Sequence, residues 1–119
     1  MIKGVGCDIV KIARIQRLIE IWGKRFLSKI FTPAELAIFP HPLRQYSHFA
    51  KRFAAKEACV KALGTGFSQD IAFHDIEIFN NSDGAPYLNL SGNHSTLITH
   101  LSLSDEKEYA MAFVIIESR

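Results

Sequence analysis

The hydrophobic pattern is clearest in the middle of the chain, where it predicts one long helix between Pro42 and Gly64. Apolar side chains recur there at about 100° per residue, which places them in a stripe along one side of a helix. The stripe consists of Tyr46, Phe49, Phe53, Val60 and Leu63. Proline fits the first turn of a helix, and glycine ends helices because it adopts the left-handed conformation without steric cost. We expect the stripe to face the core. Lys56 projects into it, and the helical pattern does not explain that lysine.

The first residues predict a strand over 2–12, an apolar run that Gly4 and Gly6 interrupt. Glycine inside a strand often marks the close approach of another backbone or of a ligand. Asp8 lies within this run, although aspartate is disfavoured in strands. Local conflicts of this kind concentrate at functional sites, so we interpret Asp8 as a candidate functional residue. An aspartate that caps a turn at the end of the strand is the alternative interpretation.

The rest of the pattern predicts short helices followed by short strands. Residues 13–22 and 26–31 have helical spacing, and Thr32 with Glu35 three residues later has the form of a capping box. The predicted strands lie at 71–73, 76–79, 87–90, around 101–103 and at 109–117. A helical turn is predicted at 95–99, and the last two strands are expected to pair as an antiparallel hairpin.

Composition restricts the class of protein. The chain has 119 residues, enough for a single domain over 1–119, and 48% of them are apolar, so we expect a packed core. A net charge of +2 is too small to indicate nucleic-acid binding, and no RNP-like or zinc-finger pattern is present. Cys7 and Cys59 form no CxxC pair, which favours a reducing compartment. The chain shows no signal-peptide layout and no apolar stretch long enough for a bilayer. We therefore expect a cytoplasmic protein without a membrane partner.

Two carboxylates from different elements suggest a metal site. If the first strand packs beside the long helix, Asp8 and Glu57 face one gap, where they repel each other unless a proton or a cation lies between them. Magnesium is typically held by one or two carboxylates, with substrate phosphates and water completing its shell. The alternative is that Glu57 and Lys61 form an exposed helix ion pair, which is common and contributes only about 0.2–0.5 kcal/mol.

Cations and glycines near Glu57 favour a phosphate ligand. Lys61 lies one helical turn beyond Glu57 and would neutralise phosphate charge. Gly64-Thr65-Gly66 offers backbone N–H groups that bind anions in many proteins. Arg44 and Arg52 add positive charge along the same helix. Together these residues suit a magnesium-bound pyrophosphate ester.

Basic residues also follow the first predicted strand. They are Lys11, Arg14 and Arg17, with Lys24 and Arg25 just beyond. Such spacing usually marks an ordinary solvated helix face. The alternative is a docking surface for an acidic partner.

Four segments resemble those of the holo-[acyl-carrier-protein] synthases, the small 4′-phosphopantetheinyl transferases. Residues 4–12, GVGCDIVKI, are similar to the N-terminal signature of that family. Residues 53–66, FAAKEACVKALGTG, resemble its second and most specific signature. Residues 31–36 and 109–117 match as well, so the resemblance covers nearly the whole chain in the expected order.

The resemblance implies a fold, an assembly and a reaction. The fold is α+β, with an antiparallel sheet packed around a long central helix, and the assembly is a homotrimer whose sites are each shared between two subunits. The implied reaction transfers the 4′-phosphopantetheine group of coenzyme A to a serine of apo-acyl carrier protein. It releases adenosine 3′,5′-bisphosphate and depends on magnesium.

The resemblance also implies roles for individual residues. Asp8 and Glu57 correspond to the ligands of Mg²⁺, with Mn²⁺ as the alternative metal. Glu57 is also the candidate proton acceptor, and Lys61 is the candidate phosphate contact and proton donor to the leaving group. The implied coenzyme A contacts are Arg44, Arg52, Lys61, Gly64, Thr65, Gly66 and His100. The implied docking residues for the carrier protein are Arg14 and, as weaker matches, Lys11, Arg17 and Arg25.

Two other functions compete with this one. A non-catalytic module that binds coenzyme A or a nucleotide would have lost part of the catalytic set, whereas Asp8, Glu57 and Lys61 are all present. A small nucleic-acid-binding protein would depend on the basic first helix. The modest net charge counts against it.

Overall fold

The computed structural model describes residues 1–67 and 70–119, which form an α+β fold. The α-helices of this part are α1 (Ile12–Trp22), α2 (Lys24–Ile30), α3 (Pro33–Leu36) and α4 (Gln45–Leu63). Its strands are β1 (Ile2–Lys11), β2 (Ile76–Asn80), β3 (Pro86–Leu90), β4 (Ile98–Asp105) and β5 (Tyr109–Glu117). Within the described residues, none of the helices is both long enough and apolar enough to cross a membrane.

The strands form two antiparallel sheets. In the first, β5 lies between β1 and β4, and in the second β2 pairs with β3. The predicted hairpin of the last two strands is confirmed, with Leu101 opposite Val114. The Thr99 hydroxyl links the sheets by donating to the carbonyl oxygen of Leu88 at 2.7 Å. Side chains alternate along β5, so that Ala110, Ala112, Val114 and Ile116 are buried and the residues between them face outward.

Helix α4 crosses the buried face of the first sheet and supplies more of the core than any other element. It follows a 3₁₀ turn at Pro42–Arg44 and ends at Gly64, whose φ of 79° is the left-handed conformation expected there. Phe49, Phe53 and Val60 of the predicted stripe are buried, and Tyr46 and Leu63 are partly buried. The long helix predicted from the sequence is therefore confirmed.

The glycines of β1 allow the strand to touch α4. A Cβ atom added at Gly4 would lie 1.8 Å from the carbonyl oxygen of Ala62, and one added at Gly6 would lie 2.0 Å from that of Ala58. No side chain fits at such distances. The close approach predicted from these glycines is confirmed, and the approaching group is the backbone of the helix.

Two short elements were predicted wrongly. The strand expected at 71–73 is replaced by a 3₁₀ turn at Phe73–Asp75, where the Asp75 carboxylate accepts from the Ala72 N–H at 2.9 Å. The helical turn expected at 95–99 is also wrong, because a 3₁₀ turn occupies Gly92–His94 and β4 already begins at Ile98. The capping box is confirmed: Thr32 Oγ1 accepts from the Glu35 N–H, and Glu35 Oε1 accepts from the Thr32 N–H.

Candidate active site

Asp8 and Lys61 meet in the groove between β1 and α4. Asp8 lies inside β1, opposite Ala112, rather than at a strand end, and it shares the buried face of the strand with Gly4 and Gly6. Lys61 Nζ donates to Asp8 Oδ1 at 2.8 Å and to the carbonyl oxygen of Cys7 at 3.2 Å. This contact joins helix to strand, in contrast to the Glu57–Lys61 pair considered from the sequence. The Lys61 side chain is 58% exposed, so its ammonium group is accessible to a ligand.

Glu57 faces the same groove. Burial raises the pKa of Glu57, and the negative charge of Asp8 raises it further, while Arg14 and Lys61 oppose that shift. The ionised form of Glu57 is therefore disfavoured in this groove, and a further positive charge would stabilise it. The structure therefore brings Asp8, Glu57 and Lys61 together as the sequence predicted. It adds Arg14, which the sequence had linked only to partner docking.

The donor atoms of this groove fit a hard divalent cation. Carboxylate oxygens are the ligands that Mg²⁺ prefers, and the repulsion between Asp8 and Glu57 would be relieved by such an ion. In residues 1–67 and 70–119, no group of three or more histidine, cysteine, aspartate or glutamate side chains could hold a metal. The protein thus offers two carboxylates, and phosphate and water oxygens would have to complete the shell.

A basic cleft of about 530 Å³ opens beside the N-terminal half of α4. It contains both arginines predicted to bind coenzyme A. The lining residues are Pro40, His41, Arg44, Ser47, His48, Lys51, Arg52, Asn80 and Asp105. The Arg52 guanidinium donates to Asn80 Oδ1, which orients it across the cleft. Burial, with a contribution from the positive charges of Arg52 and Lys51, lowers the pKa of His48 to about 4.

Sequence reasoning missed several residues of the cleft. His48 lies four residues after Arg44 and four before Arg52, the two arginines already predicted, so this spacing was an available signal for His48. Asn80 ends β2 and meets Arg52 only through the tertiary fold. Nothing in the local sequence indicated that contact.

The predicted anion-binding turn follows α4 directly. Gly64 and Gly66 have φ values of 79° and 66°, and the turn is exposed. The Thr65 hydroxyl donates to the carbonyl oxygen of Gly66 at 3.2 Å. The turn lies at the same end of α4 as Lys61.

His100 lies on the other side of the first sheet. It pairs with Ile115 in β4–β5, on the face opposite to that of Asp8, and its Nε2 lies 2.8 Å from Glu117 Oε2. Within one chain, His100 is therefore not brought together with Asp8 and Glu57.

The basic residues assigned to docking are all exposed. They are Lys11, Arg14, Arg17 and Arg25. Arg25 lies over the ring of Trp22, 5.6 Å from its centroid, and both residues border a groove of about 290 Å³ between α1 and α2.

Comparison with known proteins finds relatives that match nearly the whole chain. The family model of the 4′-phosphopantetheinyl transferase superfamily matches residues 4–114. The holo-[acyl-carrier-protein] synthase of Wolbachia pipientis (strain wPip) is 50% identical, with 98% of each chain covered. The crystal structure of a holo-(acyl-carrier-protein) synthase from Bacillus anthracis, in complex with CoA (3′,5′-ADP), has a TM-score of 0.89 and 39% identity over 100% of this chain and 99% of that one.

A second solved structure also contains coenzyme A. The Helicobacter pylori holo-[acyl-carrier-protein] synthase, in complex with coenzyme A, has a TM-score of 0.84 and 32% identity, and covers 95% of this chain and 99% of that one. The family match spans both signatures and the groove between β1 and α4. The chain belongs to the 4′-phosphopantetheinyl transferase superfamily.

Proposed function

We propose that this chain transfers the 4′-phosphopantetheine group of coenzyme A to a serine of apo-acyl carrier protein. The observation that carries the proposal is that Asp8, Glu57 and Lys61 lie together in one groove. The chain that holds them matches the family model of the 4′-phosphopantetheinyl transferases. The coenzyme A in the Bacillus anthracis and Helicobacter pylori structures supports the choice of donor. The products are holo-acyl carrier protein and adenosine 3′,5′-bisphosphate.

The step needs one proton acceptor and one source of positive charge. The serine hydroxyl attacks the phosphorus attached to pantetheine, so an O–P bond forms while the bridging P–O bond of the pyrophosphate breaks. Glu57 is the candidate acceptor of the serine proton, because its carboxylate faces the groove in which the phosphates would lie. Lys61 contacts the departing bisphosphate and supplies it with a proton. Its ammonium group donates to Asp8 and to the Cys7 carbonyl, but the side chain is 58% exposed, so a ligand in the groove can reach it.

Asp8 and Glu57 are the residues that would hold a divalent metal ion, which we propose to be Mg²⁺ with Mn²⁺ as the alternative. When bound, such an ion supplies charge stabilisation at the transferring phosphoryl group. Lys61, whose partner Asp8 would then hold the metal, would be free to bind the phosphates. Arg44, Arg52 and the Gly64–Gly66 turn bind the rest of the coenzyme A anion.

The carrier protein would dock on α1. Arg14 belongs both to the exposed face of α1 and to the groove between β1 and α4, because it is exposed on α1 and its charge acts on Glu57. An acidic partner bound there would bring its serine to the groove. Lys11, Arg17 and Arg25 extend the positive surface on either side.

We also propose that three copies assemble through the outer face of the first sheet. That face exposes large apolar residues, which are costly to leave in water. They are Val5, Ile9, Tyr109, Met111 and Phe113. His100 lies on the same face, so it would reach a coenzyme A molecule only in the groove of a neighbouring copy. We place the protein in the cytoplasm, where coenzyme A and carrier protein occur together with reduced cysteines.

The transfer reaction is tested by mass spectrometry. Apo-acyl carrier proteins of several sequences are mixed with coenzyme A, MgCl₂ and this chain, and the intact mass of each carrier is followed. We expect the phosphopantetheine mass to appear, and to disappear when EDTA replaces the metal. Coenzyme A binding without any added mass would instead support the non-catalytic binding module.

The shared site is tested by subunit complementation. Glu57→Gln and His100→Ala chains are each inactive or impaired, but in mixed trimers some sites combine an intact Glu57 with an intact His100. We expect activity to rise when the two variants are denatured together and refolded. No rise, with trimers confirmed by light scattering, would argue for sites contained in one chain.

A further inference from the structure

Lys56 precedes Glu57 on α4, yet its side chain is completely buried. Its ammonium group donates to the carbonyl oxygen of Ile30 at 2.7 Å, to Glu35 Oε1 at 2.6 Å and to the carbonyl oxygen of Phe73 at 3.1 Å. An ammonium group has three N–H donors, so these contacts use all of them. Each acceptor belongs to a different segment: the end of α2, helix α3 and the 3₁₀ turn before β2.

Glu35 closes the network around Lys56. Its carboxylate also accepts from the Thr32 N–H at 3.0 Å and from the Ile78 N–H at 3.1 Å. In the described part of the chain, no buried side-chain nitrogen or oxygen atom lacks a hydrogen-bond partner. A closed network of this kind fixes geometry, because moving any member leaves a buried charge unpaired.

Phe73 connects this network to the turn after α4. Its ring stacks on Phe53 with centroids 6.0 Å apart, and Phe67 packs on it with centroids 4.0 Å apart. Phe67 directly follows the Gly64–Gly66 turn. One end of the turn is thus continuous with α4. At the other end, Phe67 packs against Phe73, and the carbonyl oxygen of Phe73 accepts a hydrogen bond from Lys56.

We propose that Lys56 is a positioning residue for coenzyme A. It touches no substrate. By holding the Phe73 carbonyl it keeps Phe67 and the Gly64–Gly66 turn in register with Lys61 on the same helix. This role rests on the proposed function, since it assumes that the turn binds coenzyme A. The basic residues of α1 are on a separate element, so docking of the carrier protein should not depend on Lys56.

Three variants separate positioning from stability. Lys56→Met removes the donors and leaves a buried Glu35 carboxylate, so it lowers the melting temperature strongly. The double variant Glu35→Gln/Lys56→Met removes both charges and regains most of that loss, but it still has no donor for the Phe73 carbonyl. Leu88→Ala, in β3, removes a buried side chain that belongs neither to the turn nor to the hydrogen bonds of Lys56, and serves as the matched destabilised control.

The measurements are coenzyme A affinity by calorimetry below the melting temperature, and KM for the carrier protein. We expect both Lys56 variants to bind coenzyme A roughly tenfold or more weakly, because small misplacements of binding groups are costly. KM for the carrier should stay within about twofold, and Leu88→Ala should bind coenzyme A normally. Recovery of both melting temperature and affinity in the double variant would overturn the proposal, as would an equal loss of affinity in Leu88→Ala.

A ligand-free measurement distinguishes this proposal from the proposed function. Amide hydrogen exchange of residues 64–67 and 70–75 should rise in the double variant, while exchange in residues 53–60 of α4 stays slow. Unchanged exchange in 64–67 would reject the positioning role whatever the protein binds. Failure of the wild-type chain to bind coenzyme A would reject the proposed function and leave this test intact.

Discussion

Two neighbouring residues of α4, Lys56 and Glu57, belong to charge clusters of opposite character. Lys56 and Glu35 form a closed cluster in which every donor is used and both side chains are almost completely buried. Glu57 and Asp8 form an open cluster at the mouth of a groove. There, burial and the charge of Asp8 raise the pKa of Glu57, and Lys61 is largely exposed. One cluster is complete within the chain, and the other needs a ligand to be complete.

The difference follows from the rotation between successive helical residues. Adjacent side chains project about 100° apart, so one turns into the core and the other toward β1. Charge buried in the core must be paired within the fold, whereas charge in a groove can be left short of a partner that a substrate supplies. An imbalance that persists in a folded protein is therefore an indication of binding.

The largest expected effect is on turnover, at Glu57. Glu57→Gln removes a metal ligand and the candidate proton acceptor, so we expect the transfer rate to fall roughly 10²- to 10⁴-fold. The assay is the initial rate of carrier-protein modification at saturating coenzyme A. Near-normal turnover with normal metal affinity would rule out Glu57 as the base.

Glu57→Gln should not lower the free energy of unfolding, whereas a substitution in the closed cluster should lower it. A carboxyl group whose folded pKa is raised destabilises the fold at a pH above that pKa, and this cost is absent below the unfolded pKa. Without metal at neutral pH, Glu57→Gln should therefore unfold at an equal or higher urea concentration than wild type. The advantage should vanish in acid, where both side chains are neutral.

In the closed cluster, the expected effect is on stability. Glu35→Gln leaves the buried Lys56 ammonium without its counter-ion, and breaking one partner of a buried pair costs about 3–5 kcal/mol. Urea unfolding measures this loss. Asp8→Asn is the matched carboxylate-to-amide control in the open cluster, and it should shift the urea midpoint much less. Equal midpoints for the two variants would erase the distinction between the clusters.

A smaller effect is expected where the backbone brings the open cluster together. Gly6→Ala places a methyl group against the carbonyl oxygen of Ala58, which forces β1 away from α4. Overpacking of this kind costs about 1–3 kcal/mol. Because Asp8 follows on the same face, magnesium affinity should fall together with stability. Lys3→Ala, an exposed change in the same strand, should alter neither.

The sequence predicted the open cluster better than the closed one. Asp8 is a residue type disfavoured in strands, and Gly4 and Gly6 indicate the close approach of another backbone. Each of these residues therefore carried a local signal. Lys56 also stood out against the apolar stripe, but its partners lie 17 to 26 positions away in the chain, in segments joined only by tertiary packing. No local pattern indicates a contact at that range.

The fold was likewise predicted where the local sequence pattern is strong and missed where tertiary contacts decide the conformation. The long helix, β1 and the β4–β5 hairpin have strong periodicity and were predicted correctly. The errors at 71–73 and 95–99 fall in segments of a few residues, where side-chain contacts such as that of Asp75 with the Ala72 N–H decide the conformation. His100 shows a further limit, because its face of the sheet depends on a strand register that the sequence does not specify.

The smallest expected effect concerns Arg14, which would sharpen the boundary of the open cluster. Its charge lowers the pKa of Glu57, so Arg14→Ala should raise that pKa further. Protons then compete with magnesium at higher pH, and the fall in magnesium affinity on acidification should begin earlier than in wild type. Arg17→Ala is the control, because Arg17 is exposed on the same helix and is not among the charges that shift Glu57.

Charge reversal then separates the two roles of Arg14. If it also docks the carrier, Arg14→Glu should raise KM for carrier protein far more than KM for coenzyme A, and Arg17→Glu should raise only the former, by a smaller factor. Equal effects of Arg14→Glu on both KM values would reject docking and leave Arg14 to the carboxylate pair alone. If the pH dependence of magnesium affinity is unchanged in Arg14→Ala, Arg14 does not act on the carboxylate pair. The open cluster then consists of Asp8, Glu57 and Lys61 alone.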